Sequence, residues 1–318
     1  MSQNRKRPLV SAVIIFLNEE RFLAEAVDSV LAQTYPEFEL FLVDDGSTDR
    51  STEIARRYAR ENPGKIHYLE HDGHANRGMS ASRNLGISRA HGKYVAFLDA
   101  DDIWLPEKLE NQVEIMDSHP EAGMTYGRTL IWYGWTGRED DRSRDYFYPL
   151  GFERDTMIYP CDQTVLLLRN RTQTPTTCSA FMRKEAIDSV GGFENAFRTL
   201  FEDYAFFLKF SLRHPVYVSV DCRARYRQHD TACCATAEKQ KSVRHAWIQL
   251  LTWFRTYIET SNIDVPEIRH IIDDEIRKAR FPGLLKAKKS FRKTVSRWIA
   301  RMRSVRKKIV SAGNRSSP

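Results

Sequence analysis

Apolar runs alternate with amphipathic stretches over the first 126 residues. The runs are "LVSAVIIFL", "FELFLV", "KIHYLEH" and "YVAFLD", and the stretches that follow them are Phe22 to Ala32, Ser51 to Arg60, Ser80 to Ala90 and Pro106 to Ser118. Strands that alternate with helices in this way predict an α/β fold, with a mostly parallel sheet flanked by helices on both faces. Short continuous apolar strands are typical of a sheet that is buried on both faces.

Polar residues follow each predicted strand. They are Asn18-Glu19-Glu20 after the first, Asp44-Asp45-Gly46-Ser47 after the second, "HDGHANRGMSASRNLGI" after the third and Asp99 to Asp102 after the fourth. Because ligands of such sheets bind beyond the carboxyl ends of the strands, these segments predict one site. The alternative is that Asp, Asn, Gly and Ser only form turns and helix caps here.

The charges at the fourth strand end need an explanation, because carboxylates this close repel one another. A divalent cation such as Mg²⁺ or Mn²⁺ prefers oxygen ligands, and with a phosphate substrate it uses only one or two protein carboxylates. A cation held near Asp99 and Asp101 would offset the repulsion. The guanidinium of Arg83 suits a phosphate, and the alternative for this side chain is a surface ion pair.

Composition narrows the class of protein. The 318 residues are 42% hydrophobic, enough for a large buried core, and no apolar run approaches the roughly 18 residues of a membrane-spanning helix. Basic residues precede "LVSAVIIFL", as in a secretory leader, but Asn18 and two glutamates follow it where a small-residue cleavage site would lie, so we predict a strand. Five cysteines without a CxxC pair indicate reduced thiols and a cytoplasmic location.

The net charge of +7 comes from the end of the chain. Residues 277–318 hold 15 Lys and Arg and no acidic residue, which leaves 34 basic and 42 acidic residues, a net charge of −8, in the first 276. The main body therefore lacks the basic footprint of a nucleic-acid-binding protein, and no nucleic-acid partner is expected.

The basic end also carries an apolar stripe at helical spacing: Phe291, Val295, Trp298, Met302, Val305 and Ile309. This pattern fits a helix on an anionic membrane, which would place the protein at the cytoplasmic face. The stripe fits equally well against the protein's own catalytic domain or against the tail of a second copy in a homo-oligomer.

Several segments together resemble a known family. "VSAVIIFLNEERFLAEAVDSVLAQTYPEFELFLVDDGSTDRS" and "NRGMSASRNLGISRAHGKYVAFLDADDIWLPEKLE" are similar to the nucleotide-sugar half of family 2 glycosyltransferases, inverting enzymes with the GT-A fold, which is Rossmann-like. The resemblance extends from about Leu9 to Cys234. It implies a basic tail at 1–8, a nucleotide-sugar half at 9–127, an acceptor-binding and catalytic half at 128–234 and a helical, basic extension at 235–318.

The resemblance also implies roles for individual residues. Asp45 would contact the nucleotide base with Asp44 beside it, Arg83 would approach the diphosphate, and Asp99 would support the ribose or the metal shell. Asp101 and His229 would meet the Mn²⁺ or Mg²⁺ ion. Taken alone, His229 is more typical of an ordinary surface or hydrogen-bonded histidine.

In "FEDYAFF", Asp203 matches the catalytic base of the family and Glu202 precedes it. The alternative is that both carboxylates only stabilise the start of a helix. Asn18, Glu202 and Trp104 are further, weaker candidates, and Trp104 would either stack on a sugar ring or pack in the core.

The expected function is metal-dependent, inverting transfer of a sugar from a nucleotide diphosphate sugar, with a UDP-sugar favoured, to a hydroxyl of a glycan or lipid-linked acceptor in cell-surface glycan or polysaccharide biosynthesis. One alternative, a sugar nucleotidyltransferase, requires a glycine-rich, lysine-containing loop that "IIFLNEER" lacks. The other alternative is a non-catalytic sugar- or nucleic-acid-binding module. The presence of Asp45, Arg83, Asp101 and Asp203 argues against it.

Overall fold

The structure is a computed structural model that describes residues 9–152, 155–169, 172, 174–198, 200–231, 243–261 and 263–281. The strands in these residues are β1 Val10–Phe16, β2 Phe38–Asp44, β3 Ile66–Glu70, β4 Tyr94–Asp99, β5 Ile103–Trp104, β6 Met124–Trp132, β7 Tyr146–Phe147, β8 Thr156–Ile158, β9 Phe181–Arg183 and β10 Val216–Arg227. The α-helices are α1 Leu23–Leu31, α2 Ser51–Glu61, α3 Met79–Arg89, α4 Lys108–Ser118, α5 Glu139–Arg142, α6 Asp162–Leu168, α7 Lys184–Ser189, α8 Glu202–Ser211, α9 Val243–Thr260 and α10 Pro266–Arg280.

The strands form one sheet in the order β3-β2-β1-β4-β9-β6-β10-β5, with β7 beside β6 and β8 beside β10. Strands β1 to β4 are parallel to their neighbours among themselves, and β6 is parallel to β10. The short strand β9 is antiparallel to both β4 and β6 and joins the two parallel groups. The predicted mostly parallel α/β sheet is therefore confirmed, and the predicted strand–helix units match β1 to β4 with α1 to α4.

Side chains alternate between the two faces of the central strands. Val13 and Ile15 of β1 contribute to one buried cluster, which also contains residues of α8, α9 and α10. Ala12 and Ile14 contribute to the cluster on the opposite face, under α1 and α4. Because both faces are covered by helices, the central strands are apolar at nearly every position, which is the pattern seen in the sequence.

The expected boundary between the two halves, at residues 127 and 128, lies inside β6, so the halves share one sheet. Helices α9 and α10, in the predicted C-terminal extension, pack on the α8 face through residues such as Phe254 and Ile272. The apolar stripe from Phe291 to Ile309 lies outside the described residues, and its membrane and packing alternatives stay predictions. Over the parts of the chain that the structure covers, no helix has the length and apolar character needed to span a bilayer.

Candidate active site at the carboxyl ends of the strands

The carboxylate of Asp44 is buried and accepts hydrogen bonds from other groups of the protein. It accepts hydrogen bonds from the backbone N–H of Ser47 at 2.8 Å and from the hydroxyl of Thr52 at 2.5 Å, and the residue is 0% exposed. The donor-binding role expected for Asp44 stays a prediction. Its position at the end of β2 lets it fix the turn that leads into α2, which is an ordinary use of Asp after a strand.

Asp45 organises the start of α3. Its carboxylate accepts hydrogen bonds from the N–H groups of Arg77 at 2.7 Å and Gly78 at 3.0 Å and from the hydroxyl of Ser82 at 3.1 Å. Gly46 permits the approach of this loop, because at its φ of +88° an added Cβ would lie 2.8 Å from the carbonyl oxygen of His74. Asp45 thus lies, as expected, at the edge of the sheet formed by the carboxyl ends of β1 to β4, which we call the rim. Its contact with a nucleotide base stays a prediction.

Asn18 joins the first two strand ends. It adopts a φ of +57°, which Asn tolerates better than most residues, and its side-chain oxygen accepts a hydrogen bond from the N–H of Thr48 at 2.7 Å. Its own N–H donates to the hydroxyl of Ser47 at 3.1 Å. These contacts hold the loops after β1 and β2 together at the rim.

Arg83 is buried between two carboxylates. Its Nη1 donates to Glu202 at 2.9 Å and its Nη2 to Asp99 at 2.7 Å, and the residue is only 1% exposed. The pair of carboxylates, whose charges outweigh the effect of burial, raises the pKa of Arg83. Arg83 is therefore in an ion pair, as the sequence-based alternative expects, but the bridge is buried rather than on the surface. The approach of Arg83 to a diphosphate stays a prediction.

Asp101 and His229 meet at the rim although 128 positions separate them in the sequence. The Oδ2 of Asp101 lies 3.0 Å from the Nε2 of His229, and Thr231 lies 2.8 Å from the other ring nitrogen. Glu19 lies near this pair, and its pKa is raised to about 7, mainly by burial and then by the charge of Asp101. Glu19 was not a sequence-based candidate, although the "NEE" segment after β1 marks its position.

Glu202 and Asp203 begin α8, directly after Phe201, whose φ of +61° is unusual for a bulky residue. Glu202 faces Arg83, whereas Asp203 is partly exposed and accepts a hydrogen bond from the N–H of Tyr204 at 2.7 Å. Burial raises the pKa of both carboxyl groups, that of Glu202 to about 7, with the charge of Asp203 as the next cause. A carboxylate with a raised pKa is a stronger base than a solvent-exposed one.

Comparison with known proteins identifies the family of the chain that carries this rim. The family model for glycosyl transferase family 2 matches residues 11–191, which is more than half of the chain and includes the first four strand ends. The chain belongs to glycosyl transferase family 2. The resemblance inferred from the sequence is thereby confirmed.

Two curated relatives illustrate the similarity. The putative teichuronic acid biosynthesis glycosyltransferase TuaG of Bacillus subtilis is 42% identical over 127 residues, which are 39% of this chain and 48% of TuaG. An uncharacterized glycosyltransferase of Nostoc is 38% identical over 122 residues, 38% of this chain and 37% of that protein. The chain thus matches less than half the length of either relative.

Solved structures confirm the GT-A fold of this chain. Residues 1–349 of S. aureus TarS in complex with UDP-GlcNAc have a TM-score of 0.65 at 21% identity, covering 86% of this chain and 73% of that chain. The mannosyltransferase PcManGT of Pyrobaculum calidifontis, in complex with GDP-Man and Mn²⁺, has a TM-score of 0.55 at 19% identity and covers 86% and 70%.

Trp104 of the glycosyltransferase lies in the core. The residue is 2% exposed, and its indole N–H donates to the carbonyl oxygen of Cys178 at 2.9 Å. Stacking on a sugar ring is therefore wrong for Trp104, and the core-packing alternative is correct. Its apolar neighbours and satisfied N–H are those of a buried tryptophan.

Arg227 is a site residue that sequence reasoning missed. Its backbone N–H donates to Asp102 at 2.8 Å, its Nε donates to the carbonyl oxygen of Asp101 at 2.6 Å, and its Nη2 donates to Glu25 at 2.6 Å. The guanidinium also lies 4.7 Å from the ring centre of Phe22, and that ring is 5.0 Å from His229. Arg227 therefore ties the turn with Asp101 to the strand that leads to His229.

We expect Arg227→Met to weaken use of the expected Mn²⁺ or Mg²⁺ ion by about tenfold or more, because both members of the Asp101–His229 pair would lose their support. The measurement is the Mn²⁺ concentration that gives half-maximal activity, with direct Mn²⁺ binding followed by electron paramagnetic resonance. The matched control is Arg225→Met, since Arg225 lies 5.2 Å from Trp132 and Arg227 lies 4.7 Å from the same ring. Equal Mn²⁺ requirements of the two variants would contradict the role of Arg227.

Proposed function

We propose that this glycosyltransferase transfers a sugar, with inversion, from a nucleotide diphosphate sugar to a hydroxyl group of a glycan acceptor. The proposal depends on one connected arrangement. Asp99 binds Arg83, Arg83 binds Glu202, and Asp203 follows Glu202 at the start of α8. A candidate base is thus fixed relative to the acidic rim on which the donor would lie.

In the proposed reaction Asp203 accepts the proton of the acceptor hydroxyl as its oxygen attacks the anomeric carbon. The bond from that carbon to the diphosphate oxygen breaks on the opposite face, and the nucleoside diphosphate leaves. A single carboxylate is sufficient for this step, and no covalent intermediate on the enzyme is needed. The raised pKa of Asp203 favours proton transfer from a hydroxyl group.

The side chains at the rim that could bind a metal suit a divalent cation. Asp101 and His229 converge to 3.0 Å and Glu19 lies nearby, while no group of three or more His, Cys, Asp or Glu arranged as a complete protein-only metal site occurs among the described residues. One carboxylate and one imidazole, completed by phosphate oxygens and water, would hold Mn²⁺ or Mg²⁺. When bound, the cation would neutralise charge on the departing diphosphate.

The donor and acceptor are inferred by analogy with the relatives. TarS was solved with UDP-GlcNAc and PcManGT with GDP-Man, so nucleotide diphosphate sugars are the donor class, and we favour a UDP-sugar because TarS has the higher TM-score. The name of TuaG refers to the biosynthesis of teichuronic acid. This supports a glycan or lipid-linked acceptor rather than a small free molecule.

A screen of nucleotide sugars for Mn²⁺-dependent release of nucleoside diphosphate tests this function. We expect Asp101→Ala to raise the Mn²⁺ concentration needed for half-maximal release by about tenfold or more, since one of two protein ligands is lost. Asp230→Ala is the matched control, because Asp230 is exposed and adjacent to His229. If no donor releases nucleoside diphosphate, the proposed function fails, and if both variants need the same Mn²⁺, the ligand role of Asp101 fails.

A further inference from the structure

Three consecutive aromatic side chains are exposed next to the rim. Tyr146, Phe147 and Tyr148 are 40%, 45% and 49% exposed, respectively. Large apolar side chains that are exposed one by one are common on protein surfaces, but a contiguous group marks a candidate binding surface. The proposed transfer reaction assigns no role to these residues.

The pairing of the strands fixes the position of this segment. Strand β6 pairs with β10 along its length, including at Leu130 and Ile131, so β7, which pairs with the same two residues, lies on the other side of β6. Strand β9 also lies on that side, between β6 and β4. Strand β7 therefore lies on the same side of β6 as β9, which is the side that faces β4.

The register gives the height of β7 above the sheet. Phe181 of β9 lies opposite Ala96 of β4 and also opposite Thr125 of β6. Three residues further along each parallel strand, Arg128 is level with Asp99, where β4 ends, and Phe147 is the partner of Leu130, two residues beyond Arg128. The aromatic segment therefore lies just beyond the level at which β4 ends.

Hydrogen bonds independently connect the same regions. The hydroxyl of Thr177 donates to Asp99 at 2.7 Å, and the hydroxyl of Thr176 lies 2.7 Å from that of Thr129, the residue before Leu130. The chain at Thr176 and Thr177 thus fills the space between the end of β4 and the part of β6 to which β7 is paired. The aromatic segment therefore lies at the same end of the sheet as the acidic rim.

Two of the aromatic side chains form a pair with polar ends. The hydroxyl of Tyr146 donates to that of Tyr148 at 2.9 Å, and their ring centres are 5.1 Å apart in an edge-to-face arrangement. Asp145 fixes the preceding turn by accepting hydrogen bonds from the N–H groups of Tyr133 at 2.6 Å and Gly134 at 2.8 Å. Apolar ring surface with a hydroxyl at its edge matches a sugar ring, which has C–H faces and hydroxyls at its rim.

We propose that Tyr146 and Tyr148 bind a sugar ring of the acceptor glycan at the end of the sheet that carries the acidic rim, an inference that rests on the proposed function. The occupant is a neutral sugar unit, because none of the three aromatic residues carries a charge. The position of the pair beside the rim, rather than on the opposite end of the sheet, is what favours an acceptor over a second copy of the chain.

The test uses the full chain with Tyr146→Ala/Tyr148→Ala, and Tyr159→Ala as the matched control. Tyr159 is 60% exposed and follows β8, which pairs with Val216 to Val218 at the other end of β10. Binding of chitotetraose, cellotetraose and mannotetraose, with UDP and Mn²⁺ present, is measured by saturation-transfer NMR and titration calorimetry. We expect at least one tetrasaccharide to bind, with about tenfold weaker affinity in the double variant and unchanged affinity in Tyr159→Ala.

Hydrolysis of the nucleotide sugar without an acceptor separates this inference from the proposed function. We expect equal hydrolysis rates in the wild type and both variants, because the tyrosines do not contact the donor rim. The acceptor-binding role of Tyr146 and Tyr148 is overturned if no tetrasaccharide binds or if the double variant binds as well as the wild type. It is also overturned if the only effect of the double substitution is the dissociation of a dimer, as measured by sedimentation. Absence of donor hydrolysis in the wild type would instead count against the proposed function.

Discussion

Asp203→Asn is expected to lower the rate of sugar transfer by about 10²- to 10⁴-fold, the usual contribution of a positioned general base. The amide keeps the size of the side chain and can still accept the hydrogen bond from the N–H of Tyr204, so the start of α8 should be retained. We expect donor binding to be retained, because the proposed partner of the Asp203 carboxylate is the acceptor hydroxyl. The measurement is kcat for transfer together with the Kd of the donor from calorimetry.

A variant with normal donor affinity and normal turnover would remove Asp203 from the role of base. The pH dependence gives a second readout. The carboxylate is the active form, so activity should rise as pH rises through the pKa of Asp203. Because burial raises this pKa, the rise in activity should occur at a higher pH than for an ordinary aspartate. The residual activity of Asp203→Asn should not show this rise.

Arg83→Met is expected to lower the free energy of unfolding by about 3–5 kcal/mol, because two carboxylates would lose the cation between them inside the protein. Arg83 donates 2.9 Å and 2.7 Å hydrogen bonds to Glu202 and Asp99 from a side chain that is 1% exposed. Urea denaturation followed by circular dichroism measures the change. Arg89→Met on the exposed end of the same helix should change stability by no more than about 0.5 kcal/mol.

A double variant tests the cause of the Arg83 effect. Arg83→Met/Glu202→Gln removes the cation together with one of the two carboxylates that it compensates, so it should be more stable than Arg83→Met alone. If Glu202→Gln gives no such recovery, the loss in Arg83→Met does not come from an unpaired buried carboxylate. If Arg83→Met lowers the free energy of unfolding no more than Arg89→Met does, the buried ion pairs of Arg83 contribute little to stability.

The strands and helices around the site could be predicted because burial on both faces imposes a continuous apolar pattern on β1 to β4. The partners of polar residues could not, since they come from distant parts of the chain. Glu202 is 119 positions from Arg83, and Arg227 is 126 positions from the carbonyl of Asp101 that it contacts. No local pattern connects residues at such separations.

The neighbours Asp44 and Asp45 show the same limit at short range. Both follow β2, but only the three-dimensional contacts show that Thr52 and Ser47 use the carboxylate of Asp44, whereas the α3 loop uses that of Asp45. Trp104 likewise follows the acidic turn closely in sequence, but its side chain turns into the core. The position of a residue directly after a strand predicts that it lies at the rim. It does not predict the direction in which its side chain points.

The three residues of β9 limit how this enzyme can move. Phe181, Met182 and Arg183 bond to β4 on one side, and Phe181 and Met182 pair with β6 on the other. Separating β1 to β4 from β6 and β10 would break at least one of these ladders and expose apolar faces of the sheet. We therefore expect substrates to enter and products to leave through rearrangement of the loops at the strand ends, while the sheet stays continuous.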